Sequence, residues 1–486
     1  MDITKFHDSG AAIVHQTHGD PFPKVIWPSN SSKLAAATMF TLFFGGDDFA
    51  PASEVEGEQV GSYLQRHYIE SIRRVADRLK DLPNVVGYGT MNEPLRGYIG
   101  WENLRAPGGI IRLGPSPTPL QAMLLGSGIP QQVDVWGLGV RGEQVKGSEW
   151  VNPLGVRAWL PGYDCVWRRA GVWDYDAKGQ PQLLRPDHFT RVEGRKVDFS
   201  HDYYLPFANR FSEVIRSVHP QALIFIESDP RNPPPKWGLE DASGIVYAPH
   251  WYDGYVLFMK NFWSFLAVDF HTGDLILGPR RVRRSFSEQL GRFLRESRER
   301  LGNAPVMLGE FGIAFDLRNK RAYRSGDFNL QVKAMDRSFR AVEDNLLSCT
   351  LWNYTSDNSN ARGDQWNGED LSIFSRDQQL NPADIHSGGR ALDAVVRPYP
   401  RKVAGEPQRM VFDYKGGVFE FLFKHDTQIE APTEIFVPNL QFPGGYTVEV
   451  SDGTFEVDLE EQILSYRHES AQDVHVIRLR RKVEAK

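Results

Sequence analysis

Two glutamates stand far apart in the chain with matching neighbours. Glu93 follows the apolar run Val85-Val86-Gly87-Tyr88-Gly89 and lies in Thr90-Met91-Asn92-Glu93-Pro94; Glu310 closes the run Pro305-Val306-Met307-Leu308-Gly309. An apolar run that stops at a carboxylate reads as a strand delivering an acid to its C-terminal end. Pro94 is expected to restrict Glu93 to extended geometry, and the Asn92 amide can bind a sugar hydroxyl beside the acid. Two carboxylates on separate strands, opening on one face, are what glycoside hydrolysis needs. One must stay protonated to donate to the leaving oxygen, and the other must be ionised to attack the anomeric carbon. Each glutamate singly also reads as a strand-end ion-pair partner, and Asn92-Glu93-Pro94 by itself as a structural turn.

The elements that must carry these groups follow from periodicity. A helix is expected from Ser32 to Phe44, ended by Gly45-Gly46. A second has Val60, Leu64, Tyr68, Ile72, Val75 and Leu79 on one face and stops at Pro83. Residues 97–190 are rich in Gly, Pro and Trp and aperiodic, which reads as a long functional loop, a lid or substrate wall. Gly137-Leu138-Gly139-Val140-Arg141-Gly142 formally matches a dinucleotide fingerprint, but Gly147, Trp150 and Pro153 interrupt any helix after it, so that reading is rejected. Regularity returns with a helix bearing Ala208, Phe211, Ile215 and Val218, then strands Ala222–Glu227 and Gly244–His250. A helix with a capping box at Ser285 and Glu288 follows, then the Glu310 strand, a helix from about Asn329 to Leu346, and the strand Leu347–Asn353.

Strand–helix alternation with polar residues gathered at strand ends is the α/β pattern of a (β/α) barrel whose site lies on one face. A doubly wound open sheet is the structural alternative, without its phosphate-binding glycine turn. After about residue 400 the pattern changes. Met410–Tyr414 and Val418–Phe423 flank Lys415-Gly416-Gly417, Tyr446–Val450 and Thr454–Val457 flank Ser451-Asp452-Gly453, and Val474–Leu479 adds a last strand. These read as hairpins of a small antiparallel β-sandwich. The expected domains are therefore 1–396 and 401–486, with Arg397-Pro398-Tyr399-Pro400 as the hinge.

The whole composition bounds the function. A chain of 486 residues suggests two domains, one of them large. Twelve Trp and 29 Phe suit stacking on sugar rings or an apolar ligand. A net charge of -6 supplies no basic field, which argues against nucleic acid. Cys165 and Cys349 do not make a disulfide framework. No charged n-region with an apolar core opens the chain, and Leu34–Phe44 is too short to span a bilayer, so an intracellular, cytoplasmic protein is expected. His15-Gln16-Thr17-His18 offers two imidazoles without a supporting third ligand and reads as surface. The basic tail Arg478 to Lys482 reads as a solvated strand end rather than a lipid contact.

Asn92-Glu93-Pro94 and Gly309-Glu310-Phe311-Gly312 resemble the acid/base and nucleophile strands of glycoside hydrolase family 5. His250-Trp251-Tyr252 resembles its His-x-Tyr pair, and Trp352 its sugar-stacking Trp, in the same order along the chain. The resemblance implies a TIM-type (β/α)8 barrel and a retaining hydrolysis without metal or cofactor, with Glu93 as acid/base and Glu310 as nucleophile. Tyr252 would hydrogen-bond the nucleophile, and His250 would contact substrate near it. The plain readings are a satisfied loop histidine for His250 and a core aromatic for Trp352.

Trp352–Asn358 and Gly363–Asp370 resemble the endoglycoceramidase-related branch of that family. Phe22–Pro28, Thr38–Phe44, the 97–190 insertion and Ile435–Asn439 resemble its fungal steryl-β-glucosidase members. What this implies is removal of glucose from a glycolipid, sterol glucoside first and glucosylceramide second; the partners expected are that glycolipid and, peripherally, a membrane. An apolar aglycone needs a broad hydrophobic approach, for which Phe40, Phe43, Phe44, Trp263, Phe265 and Trp366 are candidates, core packing being the alternative. The family barrel ends its fourth strand at the acid/base, and only five strand runs are visible here. Strands one to three, with the Arg and His they carry, are expected to be absent, leaving the barrel incomplete at the amino terminus. The rival functions are a non-catalytic glycolipid-binding protein and an endo-acting β-glucanase.

Overall fold

The computed structural model describes residues 1–13, 26–139, 142–229, 232–269, 271–365, 368–469 and 471–482. His15, His18, Trp366 and most of the Phe22–Pro28 stretch lie outside them. The chain forms two compact units. One is Met1–His250 with Arg295–Val306 and Trp366–Glu369; the other is Trp251–Leu294 with Met307–Gln365 and Asp370–Lys486.

In the first unit, helices α1 (Leu34–Phe49) and α2 (Val60–Leu79) precede strand β1 (Gly87–Gly89). The expected stop at Gly45-Gly46 does not occur. The helix runs through with a local kink at Gly45, because these two residues are where neighbours come closest. A Cβ on Gly46 would lie 2.7 Å from Val60 Cγ1, and one on Gly45 would lie 2.9 Å from the Phe49 ring. The glycines thus serve packing, not termination. On α2 the buried stripe is Val60, Gln65, Ile69 and Ala76, rotated from the expected face, and Val75 is exposed. Gln65 is tolerated there because its amide donates to the Phe43 carbonyl at 2.8 Å and accepts from Arg210 at 3.1 Å.

Helix α3 (Leu205–Arg216) buries Phe207, Ala208, Phe211 and Ile215 and leads to β2 (Leu223–Ile226). Strand β3 (Ile245–Tyr247) follows. The three strands pair in parallel in the order β1-β2-β3, with Ile224 opposite Tyr88 on one side and Ile245 on the other. Gly87 is required at its place, since a Cβ would sit 2.1 Å from the Leu223 carbonyl oxygen. Tyr247 then donates its backbone N–H to Pro305 at 2.9 Å.

The 97–190 insertion is not the loop expected. It contains a capped helix, Pro119–Gly126, and a long antiparallel hairpin, Gln131–Gly139 with Gly142–Val151. The glycine-rich fingerprint covers the facing ends of these two strands, where Gly139 pairs with Gly142; residues 140–141 lie outside the described ones. Arg112 stacks on Trp136 at 3.8 Å and pairs with Glu143. Trp167, Tyr98 and Phe189 are fully buried, and Trp167 donates to Thr38 Oγ1 on α1 at 2.9 Å. The insertion therefore has its own core contacts. These link residues too distant in sequence for periodicity to report.

Helix α4 (Pro279–Arg300), of which residues up to Leu294 belong to the second unit, begins six residues before Ser285, so the expected capping box lies inside it. The Ser285 hydroxyl instead accepts from Gln289 at 3.0 Å. Strand β4 (Met307–Phe311), helix α5 (Asn329–Asp344) and strand β5 (Ser348–Leu351) follow, β4 and β5 being parallel. Five parallel strands thus carry the barrel succession among the described residues, three in one unit and two in the other. The β1 and β5 edges are each paired on one side only among those residues.

The C-terminal strands are β6 (Tyr399–Lys402), β7 (Gly405–Asp413), β8 (Val418–His425), β9 (Thr433–Phe436), β10 (Tyr446–Val450), β11 (Thr454–Asp458), β12 (Ile463–Arg467) and β13 (Val474–Arg481). They form two four-stranded sheets, β6-β9-β12-β11 and β7-β8-β13-β10. Phe412, Phe419, Phe421, Phe423, Leu464 and Ile477 alternate inward and share one core. The β7–β8 hairpin is as expected. The second expected hairpin is not one: β10 pairs with β13 and β11 with β12, so Ser451-Asp452-Gly453 carries the chain from one sheet to the other.

Arg397 is no hinge either. It is 5 % exposed, and its guanidinium meets Glu343 at 2.6 Å, Asp336 at 3.0 Å and the Phe412 carbonyl at 3.2 Å. Both acids belong to α5, so a buried ion cluster locks the sandwich entry to that helix. Cys165 and Cys349 are free thiols. Among the described residues no helix is long and apolar enough to cross a membrane.

Candidate active site

The first unit presents three groups at strand ends. Glu93 lies beyond β1, Glu227 directly after β2, and His250 beyond β3. Parallel pairing brings these ends level, since Phe225 stands opposite both Gly89 and Val246. Glu93 takes φ +45°, a left-handed conformation, where extended geometry was expected ahead of Pro94. The neighbours explain the difference. Glu227 Oε2 accepts the Glu93 backbone N–H at 2.8 Å, and His250 Nδ1 shares a 2.9 Å hydrogen bond with Glu93 Oε1. A left-handed non-glycine residue costs about 1–3 kcal/mol, and these contacts hold it there.

His250 Nε2 lies 3.5 Å from the same Glu227 oxygen, and all three side chains are 12–15 % exposed. The imidazole therefore bridges two carboxylates. Glu227 is a site residue that sequence reasoning misses, although it ends an apolar run just as the other two acids do. Beneath it, the Tyr204 hydroxyl accepts the Glu227 N–H at 3.0 Å and bonds Thr90 Oγ1 at 2.9 Å. Burial pushes the Tyr204 phenol above its ordinary pKa, so it stays neutral. Asn92 is exposed. Two residues beyond Glu93 begins a cavity of about 450 Å³ whose lining includes Leu95, Arg96, Trp101, Ile110 and Asp229.

The second unit carries Glu310 on β4. The Tyr252 hydroxyl donates to Glu310 Oε1, the partnership expected for it. The Trp251 N–H donates to the Glu310 carbonyl at 3.0 Å, and its indole N–H to Gln289 on α4 at 2.8 Å, which fixes the segment bearing Tyr252. Trp352 follows β5 and donates its N–H to the Phe311 carbonyl at 2.8 Å. Gly312 admits this approach: a Cβ there would lie 2.0 Å from the Trp352 carbonyl oxygen and 3.7 Å from the Tyr252 ring.

The loop after Trp352 closes around buried acids. Asn358 donates to Asp364 at 2.8 Å and to Asp370 at 3.1 Å, and fully buried Arg390 pairs with Asp370 at 2.8 Å. Burial raises the Asp364 carboxyl above its usual range, against the hydrogen bonds from the Leu371 N–H and Asn358. Of the apolar candidates, Phe43 and Phe44 are core residues packed against Phe207. Phe40 is half-buried. Trp263 and Phe265 are 40 % and 46 % exposed, with ring centroids 5.8 Å apart.

Residues 193–358 match the cellulase family (glycosyl hydrolase family 5), and residues 397–480 match the glycoside hydrolase family 5 C-terminal domain. The chain is 36% identical over 501 residues to the glucosylceramidase of Rhizopus delemar, spanning 96% of this chain and 73% of that protein. It is 29% identical over 578 residues to the ergosteryl-beta-glucosidase of Saccharomyces cerevisiae, spanning 96% and 75%. The crystal structure of Cryptococcus neoformans sterylglucosidase 1 superposes with a TM-score of 0.91 at 28% identity, covering 99% of this chain and 77% of that one. The strand-end carboxylates, the barrel succession with its appended sandwich and these matches agree: the chain belongs to glycoside hydrolase family 5.

Proposed function

We propose that the protein is a retaining β-glucosidase that releases glucose from a lipid glycoside, sterol β-glucoside foremost and glucosylceramide second. In this reading residues 1–396 are the catalytic barrel and 401–486 the sandwich. Glu310 attacks the anomeric carbon, the bond to the aglycone oxygen breaks, and Glu93 gives that oxygen its proton. Glu93 then takes a proton from water, which cleaves the glucosyl ester and frees Glu310. The reaction requires the two carboxyl groups about 5 to 5.5 Å apart.

The observation that carries the reading is the unequal company of the two acids. Glu310 receives a phenol hydrogen bond from Tyr252, suited to an ionised nucleophile. Glu93 is held through an imidazole and its own backbone N–H, suited to a group that must hold and return one proton. Asn92 and Trp352 would contact the sugar. A lipid aglycone is supported by the exposed apolar side chains Met259, Trp263, Phe265, Leu275 and Leu277, of a kind that suits peripheral contact with membrane. The test is release of glucose from sterol glucoside, glucosylceramide and an aryl β-glucoside by the parent, Glu310→Gln and Glu93→Gln. Glu310→Gln should lose activity on all three, and a fluorinated glucoside should label Glu310 in the parent. Equal rates in parent and variants, or a label elsewhere, would overturn the assignment.

A further inference from the structure

The sandwich carries a side-chain cluster that glycoside cleavage does not use. His425 ends β8, His475 lies on β13 beside it, and His468 follows β12 of the opposite sheet. His425 Nδ1 and His475 Nε2 are 2.9 Å apart, and one ring nitrogen from each of the three histidines lies within 4.8 Å of the others. The rings are layered: His468 is 4.8 Å from His425 and 4.6 Å from His475 by centroid. Three imidazoles converge here, and both ring nitrogens of fully buried His475 need a partner.

A carboxylate orients the cluster from behind. Asp452 Oδ2 lies 2.9 Å from His475 Nδ1. Asp452 is itself fixed by the Tyr466 hydroxyl at 2.6 Å, the Glu469 N–H at 3.1 Å and the Gln472 amide. This places the His475 proton on Nδ1 and turns the Nε2 lone pair toward His425. A carboxylate–imidazole pair whose distal nitrogen faces other imidazoles is the usual support of a metal-bound histidine. Metal–nitrogen bonds of about 2.0–2.1 Å in a tetrahedron put ligand nitrogens about 3.4 Å apart, a spacing small side-chain shifts would supply here. His475 is fully buried, whereas His425 and His468 are half-exposed, so the cluster has an open side for entry and for a fourth ligand.

We infer that His425, His468 and His475 form a site for a divalent transition cation of the zinc class, with Asp452 as the group that orients His475. Imidazole-only donors suit Zn²⁺, Ni²⁺ and Cu²⁺ rather than Mg²⁺ or Ca²⁺. The site lies within the sandwich and stays independent of the glucosidase reading.

The test uses full-length, tag-free protein stripped with chelator. Titration with Co²⁺ should give visible absorption of tetrahedral or five-coordinate nitrogen ligation, and Zn²⁺ should displace it at one equivalent, measured by elemental analysis. Zn²⁺ should also raise the thermal unfolding midpoint. His468→Gln, at the open rim, should remove the bound equivalent while leaving the circular dichroism spectrum unchanged. Asp452→Asn should weaken binding 10- to 100-fold. Less than a tenth of an equivalent bound to the parent would overturn the inference, as would full retention of the metal in both His468→Gln and His425→Gln.

Discussion

Glu227→Ala is the perturbation most directly tied to the geometry. It removes the acceptor of the Glu93 backbone N–H at 2.8 Å and the charge 3.5 Å from His250 Nε2. Glu93 would then keep its left-handed φ of +45° without the hydrogen bond that holds it there. A hydrogen bond to a charged group is worth about 1.5–3 kcal/mol. At about 1.36 kcal/mol per tenfold, its loss corresponds to roughly a 10- to 150-fold fall in kcat/KM. The fall should be uneven across substrates. In the proposed mechanism sterol glucoside, with its poor leaving group, depends on the proton from Glu93, whereas an aryl glucoside with an acidic phenol depends on it little in the first step. Glu227→Gln keeps an acceptor oxygen and should recover part of the loss. Steady-state kinetics on both substrates measure this, with the thermal midpoint as control for folding. If Glu227→Ala is within twofold of the parent on sterol glucoside, Glu227 does not position the acid, and the account of Glu93 given above is wrong.

Three further outcomes follow from particular contacts. Gly312→Ala places a methyl 2.0 Å from the Trp352 carbonyl; activity should fall at least about 100-fold, as for an angstrom-scale displacement in a site, and unchanged kinetics would contradict the close approach. Arg397→Ala leaves Glu343 and Asp336 facing each other without their buried cation, so urea unfolding should show a loss of about 3–5 kcal/mol; a change below about 1 kcal/mol would mean the cluster is not holding the sandwich entry. The third concerns pH. Burial pushes the Lys33 ammonium down from 10.5 to about 8, against the pull of Glu149. The unfolded chain therefore binds more protons between those values, and the Lys33 contribution to stability rises with pH across the window. Between pH 8 and 10 the parent should gain about 2 kcal/mol relative to Lys33→Met, read as the difference in urea unfolding; parallel pH profiles would refute it.

How much of this was legible beforehand depended on whether a feature is local. The apolar runs ending in Glu93 and Glu310 are strands or strand ends, because a short buried strand is written as a continuous run of a few residues. Glu227 carries the same signal, an apolar run closing on a carboxylate, but no flanking motif marks it. Tyr252 hydrogen-bonds Glu310, a contact that the resemblance of His250-Trp251-Tyr252 to the family's His-x-Tyr pair implies and that residue spacing alone does not. The conformation of Glu93 could not be read, because the local preference imposed by Pro94 is outweighed by partners 134 and 157 residues away in sequence. Arg397 looked like a hinge for a similar reason: prolines report local stiffness, while the acids that bury the arginine lie 54 and 61 residues earlier.

By itself the sequence determined the alternation of strand and helix, the change to short antiparallel strands near residue 400, and the two acids at strand ends. Each depends on side-chain period and on residues a few positions apart. Tertiary structure alone decided that β10 and β11 belong to opposite sheets, that Gly45-Gly46 admits a neighbouring helix, and that the long insertion has its own hairpin and buried tryptophan. It also decided that His250 stands between two carboxylates. The physical reason is common to all of these: periodicity says which face of an element is apolar, but the choice of partner for that face is made by packing and by hydrogen-bond demand across the fold.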